Sequence, residues 1–263
     1  MLTHLHRDHV GGLQSLLAET EVAELWTNYL PNRIFQKKSL PPCEGFSPGA
    51  QALLEAMNLY LSALRLCEGR GTKIVETTGP GTLRFPGSAL HIRRFGGQAV
   101  LHRRQRAIWE QQFLQGPCNA SLNELDGFIN NTSTRMRLCW EGFSAELPGD
   151  TYAACWEQYQ VSPCTLVKLP HHGHADSLTE GLYGRLAPQY IVVSTSNDRP
   201  SECPSTRIVE IAGKNGGTLL CTDAIEKKGV KRQVQQALGF RVARGGNVLV
   251  YHVKKEDAPD ETL

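Results

Sequence analysis

The stretch His4-Leu5-His6-Arg7-Asp8-His9-Val10-Gly11-Gly12 decides how this chain is read, because it sets four potential metal ligands within six positions. On an extended segment residues two apart point the same way, so His4 and His6 are expected to grip one cation together. The chain then turns and aims Asp8 and His9 at a second. Gly11 and Gly12 let the backbone turn tightly into a following helix. A lone histidine is ordinarily a satisfied surface or core residue, but imidazole and carboxylate at this density point to metal binding.

Outward from that stretch, the composition supplies the globular frame such a site needs. The 263 residues carry 28 Lys and Arg against 26 Asp and Glu, a formal net charge of +2, with 40% hydrophobic and 21% charged residues. That balance excludes a globally basic nucleic-acid coat, an acidic tail protein and extensive disorder, and it provides a sizeable core. No apolar run approaches the ~18 residues of a membrane span, and the first residues lack the apolar core of a secretory signal. A cytoplasmic protein with no membrane partner is therefore expected. The eight cysteines are scattered without a CxxC pair and are expected to stay reduced.

Apolar spacing predicts helices over residues 9–19, 50–67 and 106–114, strands over 22–26, 72–76 and 89–95, and a Pro-rich loop over 28–49. Residues 96–127 otherwise read as polar and irregular. Further on, strands (136–140, 142–147, 165–169, 190–194, 217–221) alternate with helices (151–160, 178–186, 204–214), which predicts a layered α/β fold. Two more short strands are expected within 240–253, giving one domain over residues 1–253 and a disordered tail over 254–263.

Later residues add candidates. Asp150, on a turn after a hairpin, is a ligand or merely the N-cap of the next helix. His171 and His172 end a buried strand, where neighbours face opposite ways, so one should reach the metals while the other packs or contacts substrate. His171 is favoured as the ligand, and His174 reads as solvent-exposed. Arg93, Arg94, Arg103, Arg104 and Arg106 with His102 make a basic cluster followed by Trp109. It reads either as a solvated helix face or as a phosphate-holding patch with Trp109 stacking on bases.

The HxHxDH motif followed by Gly-Gly resembles the signature of the metallo-β-lactamase superfamily. Asn130-Asn131-Thr132-Ser133, Gly149-Asp150, Lys168-Leu169-Pro170-His171-His172-Gly173, Ser194 with Asn197, and Thr222-Asp223 follow in order. Together they resemble the motifs of the hydrolase domain attached to the competence DNA-uptake channel of the ComEC type. The resemblance implies a four-layered αββα sandwich with one or two metal ions, zinc or manganese, at the edge of its sheets. It places His4 and His6 on one metal, Asp8 and His9 on a second, Asp150 between them and His171 as a further ligand. Asn131, Ser133, Ser194 and Asn197 would contact substrate, and Asp8, His171 and His172 would serve catalysis.

Two such cations would lower the pKa of a bridging water from 15.7 toward about 7, and the hydroxide would attack phosphorus or a carbonyl carbon. Asp8 would orient it. The expected activity is hydrolysis of phosphodiester bonds in a nucleic acid or nucleotide. Lactone, thioester or β-lactam hydrolysis, or a non-catalytic remnant, are the alternatives.

Three departures from the resembled pattern stand out. Only three residues precede His4, where those proteins carry further strands and an Asp-Gly turn. The domain is therefore expected to lack its N-terminal strands and to leave the segment holding His4 at an exposed edge. No third histidine stands between the first motif and Asp150 in a suitable context, as His91 and His102 do not fit. Cys203 occupies a position often held by His, and reads as an inert half-buried thiol or a soft ligand.

Overall fold

The apolar spacing of residues 50–67 belongs to a longer helix, Pro48–Arg70, which Ser47 caps at its N-terminus and Gly71 ends in the left-handed conformation at φ 73°. The computed structural model describes residues 1–195, 203–223 and 237–253. The chain is mixed α/β and divides into two units, residues 1–80 with 95–135 and residues 81–94 with 136–263. Asn197 and residues 254–263 lie outside the described residues.

In the first unit the long helix turns Leu53, Leu54, Met57, Tyr60, Leu61 and Leu64 into a core shared with Leu5, Val10, Leu17, Ile108, Trp109, Leu122 and Leu125. The helix expected over residues 9–19 is two pieces, Arg7–Val10 and Leu13–Glu19. Gly11 sits at the break, where a Cβ would lie 2.8 Å from the Arg7 carbonyl oxygen. A small parallel pair, Glu24–Thr27 with Lys73–Glu76, borders the amino-terminal segment. Leu2 bridges Thr27 and its N–H donates to the Trp26 carbonyl at 2.7 Å, while the Thr134 N–H donates to the Thr3 carbonyl at 3.0 Å. Backbone partners therefore flank residues 2–3, and the expectation of an exposed edge at the entry to His4 is corrected.

The helix expected at 106–114 runs from Ala99 to Gln115, and a further helix, Asn119–Asp126, lies in what reads as irregular chain. That helix buries only Leu122 and Leu125, too few apolar positions to show a period. Trp109 is fully buried, its ring 5.0 Å from that of Tyr29 and 6.0 Å from that of Tyr60. Base stacking on Trp109 is thereby removed; its role is packing.

The second sheet has seven strands among the described residues, paired in chain order: Gly81–Arg84, His91–Phe95, Arg135–Trp140, Phe143–Leu147, Leu166–Lys168, Tyr190–Val193 and Thr218–Cys221. The first two pair antiparallel, as do the third and fourth, and the last four run parallel. Parallel neighbours need crossovers, which the helices Glu180–Leu186 and Thr206–Lys214 supply. Val167, Leu169, Ile191 and Val193 pack with Leu182, Ile208 and Ile211. Phe143, Ala145, Leu166 and Val192 pack against a hairpin, Ala237–Val242 with Val248–Val253. The expected helix over 151–160 is a single turn, Ala153–Trp156. All eight cysteines are free thiols. Among the described residues no helix is long and apolar enough to cross a membrane.

Candidate metal centre

His6 is the last extended residue before the helical turn Arg7–Val10, at φ −76° and ψ 157°. His4 lies in a bend two residues before it, while Asp8 and His9 lie in the turn. His4 is wholly buried. Its Nε2 lies 3.3 Å from His6 Nδ1, its ring centroid lies 4.1 Å from that of His9, and His9 Nε2 lies 3.4 Å from Asp8 Oδ2. A tetrahedral ion with bonds of ~2.0–2.1 Å sets its ligand atoms about 3.3–3.4 Å apart, so these spacings suit pairs that share a cation.

The remaining ring nitrogens face oxygens. Thr3 Oγ1 is 3.2 Å from His4 Nδ1 and 3.4 Å from His9 Nδ1, and Asp126 Oδ1 is 3.2 Å from His6 Nε2. An N–H donated at each of those positions leaves a lone pair on His4 Nε2, His6 Nδ1 and His9 Nε2. Holding the remote nitrogen in this way fixes tautomer and ring orientation for a metal ligand. Neither Thr3 nor Asp126 is marked by a motif. Asp126 is 120 residues from His6 and reaches it only because its helix packs against Pro48–Arg70.

In the second unit Asp150 is buried on the turn after Phe143–Leu147. The next helix has Tyr152 as its N-cap and no side-chain cap, so the capping alternative for Asp150 is excluded. Its carboxylate faces His172 Nε2 at 3.8 Å and Lys168 Nζ at 3.9 Å. His172 Nδ1 lies 2.9 Å from the Ser194 carbonyl oxygen, an acceptor only, so the N–H is there and the lone pair is on Nε2. The arrangement found at the amino end is repeated here.

The strand ends at Lys168, and His171 and His172 sit in a tight turn rather than on it. Both have left-handed backbone, φ 47° and 54°, followed by Gly173 at 78°. For residues bearing a Cβ that costs on the order of 1–3 kcal/mol each. The turn is held by hydrogen bonds from Ser177 Oγ to the Pro170 carbonyl and from the Ser205 N–H to the Gly173 carbonyl, each 2.8 Å. His171 turns away from Asp150: its Nδ1 is 3.0 Å from Asp176 Oδ1, and its ring stacks on His174 at 4.5 Å. The residue facing Asp150 is thus His172, whereas the sequence reading favoured His171.

Of the expected substrate residues, Asn131 lies half-buried in the turn Ile129–Thr132, Ser133 is buried after it, and Ser194 lends its carbonyl to His172. Asn28 Nδ2 donates to the carbonyl and hydroxyl oxygens of Thr132, at 3.0 and 3.1 Å, fixing that turn. Cys203 is buried and its carbonyl accepts from Thr195 Oγ1 at 3.2 Å. In the basic cluster Arg104 pairs with Glu124 and Arg106 with Glu76, each at 2.6 Å. Imidazole nitrogens and carboxylate oxygens are a donor set that could hold a divalent metal ion.

No protein-family model matches the chain, and no curated protein does. Among solved structures it aligns with CmlA, a diiron β-hydroxylase from Streptomyces venezuelae, at 12% identity and a TM-score of 0.41, over 83% of this chain and 42% of that one. The chain thus spans about two fifths of CmlA's length, 42%. It also aligns with a Parabacteroides distasonis protein named as a metal-dependent hydrolase, at 9% identity and a TM-score of 0.34, over 83% of this chain and 80% of that one.

Proposed function

We propose that the chain is a metal-dependent hydrolase of the metallo-β-lactamase superfamily, of its competence-type branch, acting on phosphodiester bonds of a nucleic acid or nucleotide. One or two zinc or manganese ions would be held by His4, His6, Asp8 and His9 in the first unit and by Asp150 and His172 in the second. The observation that supports this reading is one arrangement repeated in both units: a ring N–H held by an oxygen and the opposite nitrogen turned to another ligand-type atom at 3.3–3.8 Å.

A bound divalent cation supplies Lewis acidity, acidifying water and neutralising charge on substrate oxygens. The chain's own residues do the rest. Thr3, Asp126 and the Ser194 carbonyl hold the imidazoles in orientation, and Lys168 balances the buried Asp150 carboxylate. Asp8, half exposed, offers its second oxygen as an acceptor that orients the attacking water. His171, steadied by Asp176, takes the substrate-contacting role expected of one member of the pair.

The test is metal analysis of the purified chain, followed by hydrolysis of bis(p-nitrophenyl) phosphate with Zn²⁺ or Mn²⁺ and a parallel panel of lactones, thioesters and β-lactams. At least one ion per chain is expected, with turnover abolished by His6→Ala. Unchanged turnover in that variant, or far less than one ion per chain, refutes the reading. Cleavage confined to carboxylic substrates overturns the phosphodiester assignment and keeps the metal centre.

A further inference from the structure

We propose that the outer face of the hairpin Ala237–Val242 with Val248–Val253 docks single-stranded DNA, with the Tyr251 ring stacking on a base and Arg241 holding a phosphate. This surface goes beyond the hydrolytic reading and does not depend on it. The register pairs Gly239 with Tyr251 and Arg241 with Leu249 across the two strands. Residues opposite each other across a ladder, and residues two apart along a strand, share one face, so these four lie side by side. Leu238, Phe240, Val242 and Val248 point the other way and pack with Phe143, Ala145, Leu166 and Val192. On the side away from that core Leu249 is left 60% and Tyr251 48% exposed.

The Tyr251 ring is laid out as a platform. A Cβ on Gly239 would run into three contiguous atoms of that ring, Cε1, Cζ and Cε2. The ring therefore lies across the backbone of the glycine, one π face against Gly239 and the other toward solvent, a close approach that glycine permits within a strand. Covering Gly239 accounts for the inner π face alone. The outer one is open to a base, and stacking on an aromatic ring strengthens binding by roughly 5- to 150-fold per base. Bases inside a duplex are already covered on both faces by their neighbours, so the ring selects a single strand.

Charge selects the polyanion. Arg241 is exposed and makes no ion pair among the described residues. Its position is diagonal to that of Tyr251, ~7–8 Å away between backbones, which puts its guanidinium within reach of a phosphate flanking the stacked base. Arg244, in the turn between the strands, faces Glu141 at 3.9 Å and meets the charge of that carboxylate. From Lys227 to Lys255 the sequence holds eight of the chain's 28 Lys and Arg and none of its 26 Asp and Glu. The near-neutral total thus conceals a basic segment in an otherwise acidic chain, and the hairpin belongs to that segment. Beside the ring, Ala237 and Leu249 offer no partner to a ribose 2′-hydroxyl, which favours DNA over RNA.

The test is fluorescence anisotropy of the full chain with a labelled oligothymidylate of about 16 nucleotides, in EDTA so that hydrolysis does not consume the probe. Binding that weakens with salt is expected. Tyr251→Phe keeps the ring and should bind within about twofold of wild type, whereas Tyr251→Leu, which still covers Gly239 but has no π face, should lose about tenfold. Arg241→Gln should weaken binding and lower the slope of log affinity against log salt by about 0.7, one phosphate contact on a single strand. Arg207, on the helix Thr206–Lys214, is likewise exposed and without an ion pair among the described residues, and Arg207→Gln should leave affinity and slope unchanged. No binding by the wild-type chain overturns the proposal, as does wild-type affinity in Tyr251→Leu. Equal losses in the two arginine variants would mean charge attraction only and overturn it as well. So would equal binding of the same thymidylate in a duplex, or tighter binding of oligouridylate. Failure here leaves the metal reading untouched, because EDTA separates the two.

Discussion

Asp126 offers the sharpest test of the amino-terminal cluster, because it acts on His6 from outside any motif. Losing the oxygen that orients a ligating imidazole typically costs 10–100-fold in metal affinity, or about 1.4–2.7 kcal/mol. The structure places Asp126→Ala at the lower end. The contact is 3.2 Å, longer than the ~2.7–2.9 Å of a strong charge-assisted bond, and the carboxylate is 41% exposed. About a tenfold loss of zinc affinity is therefore expected. Asp126→Asn, which keeps an accepting oxygen, should lose less.

A second perturbation reaches the same carboxylate from another direction. A Cβ on Gly49 would lie 2.9 Å from Asp126 Oδ2, so Gly49→Ala must push that oxygen aside. Alanine in a helix is favoured over glycine by up to about 1 kcal/mol, so fold stability should hold or rise while metal affinity falls. Competition against a chelating dye measures affinity, and circular dichroism with urea unfolding measures the fold. Zinc affinity within twofold of wild type in both Asp126→Ala and Gly49→Ala would refute the orienting role.

Two further outcomes are expected. Trp109→Ala should lower unfolding stability by about 3–5 kcal/mol by urea titration, with Trp109→Phe losing less, because the indole fills the space between Tyr29 and Tyr60. Burial holds the His102 pKa below its ordinary 6.5, so the unfolded chain binds a proton there that the folded chain gives up. Its neutral burial is therefore fully tolerated above about pH 6.5 and penalised as pH falls below that value. His102→Gln should flatten the decline in urea midpoint between pH 7.5 and 5.5, and an unchanged slope would contradict this.

The predictable parts of the chain were those whose signal is local. Leu53 to Leu64 repeat at helical spacing, and the alternation of strands and helices after residue 136 led directly to the parallel part of the seven-stranded sheet. The helix Asn119–Asp126 has no local signal, because its two buried leucines make no period and the rest of it is polar. His171 and His172 read as neighbours at a strand end, but they sit in a turn with both at positive φ, and no sequence pattern announces left-handed backbone outside glycine.

The candidate ligands at the amino end were legible in the chain itself, since imidazoles and a carboxylate stand within six positions of one another. Which nitrogen each ring turns inward was settled by folding. Thr3 adjoins His4, but Asp126 stands 120 residues from His6, and the Ser194 carbonyl 22 from His172. Hydrogen-bond partners at that separation are chosen by how helices and strands pack, and one-dimensional spacing holds no record of it.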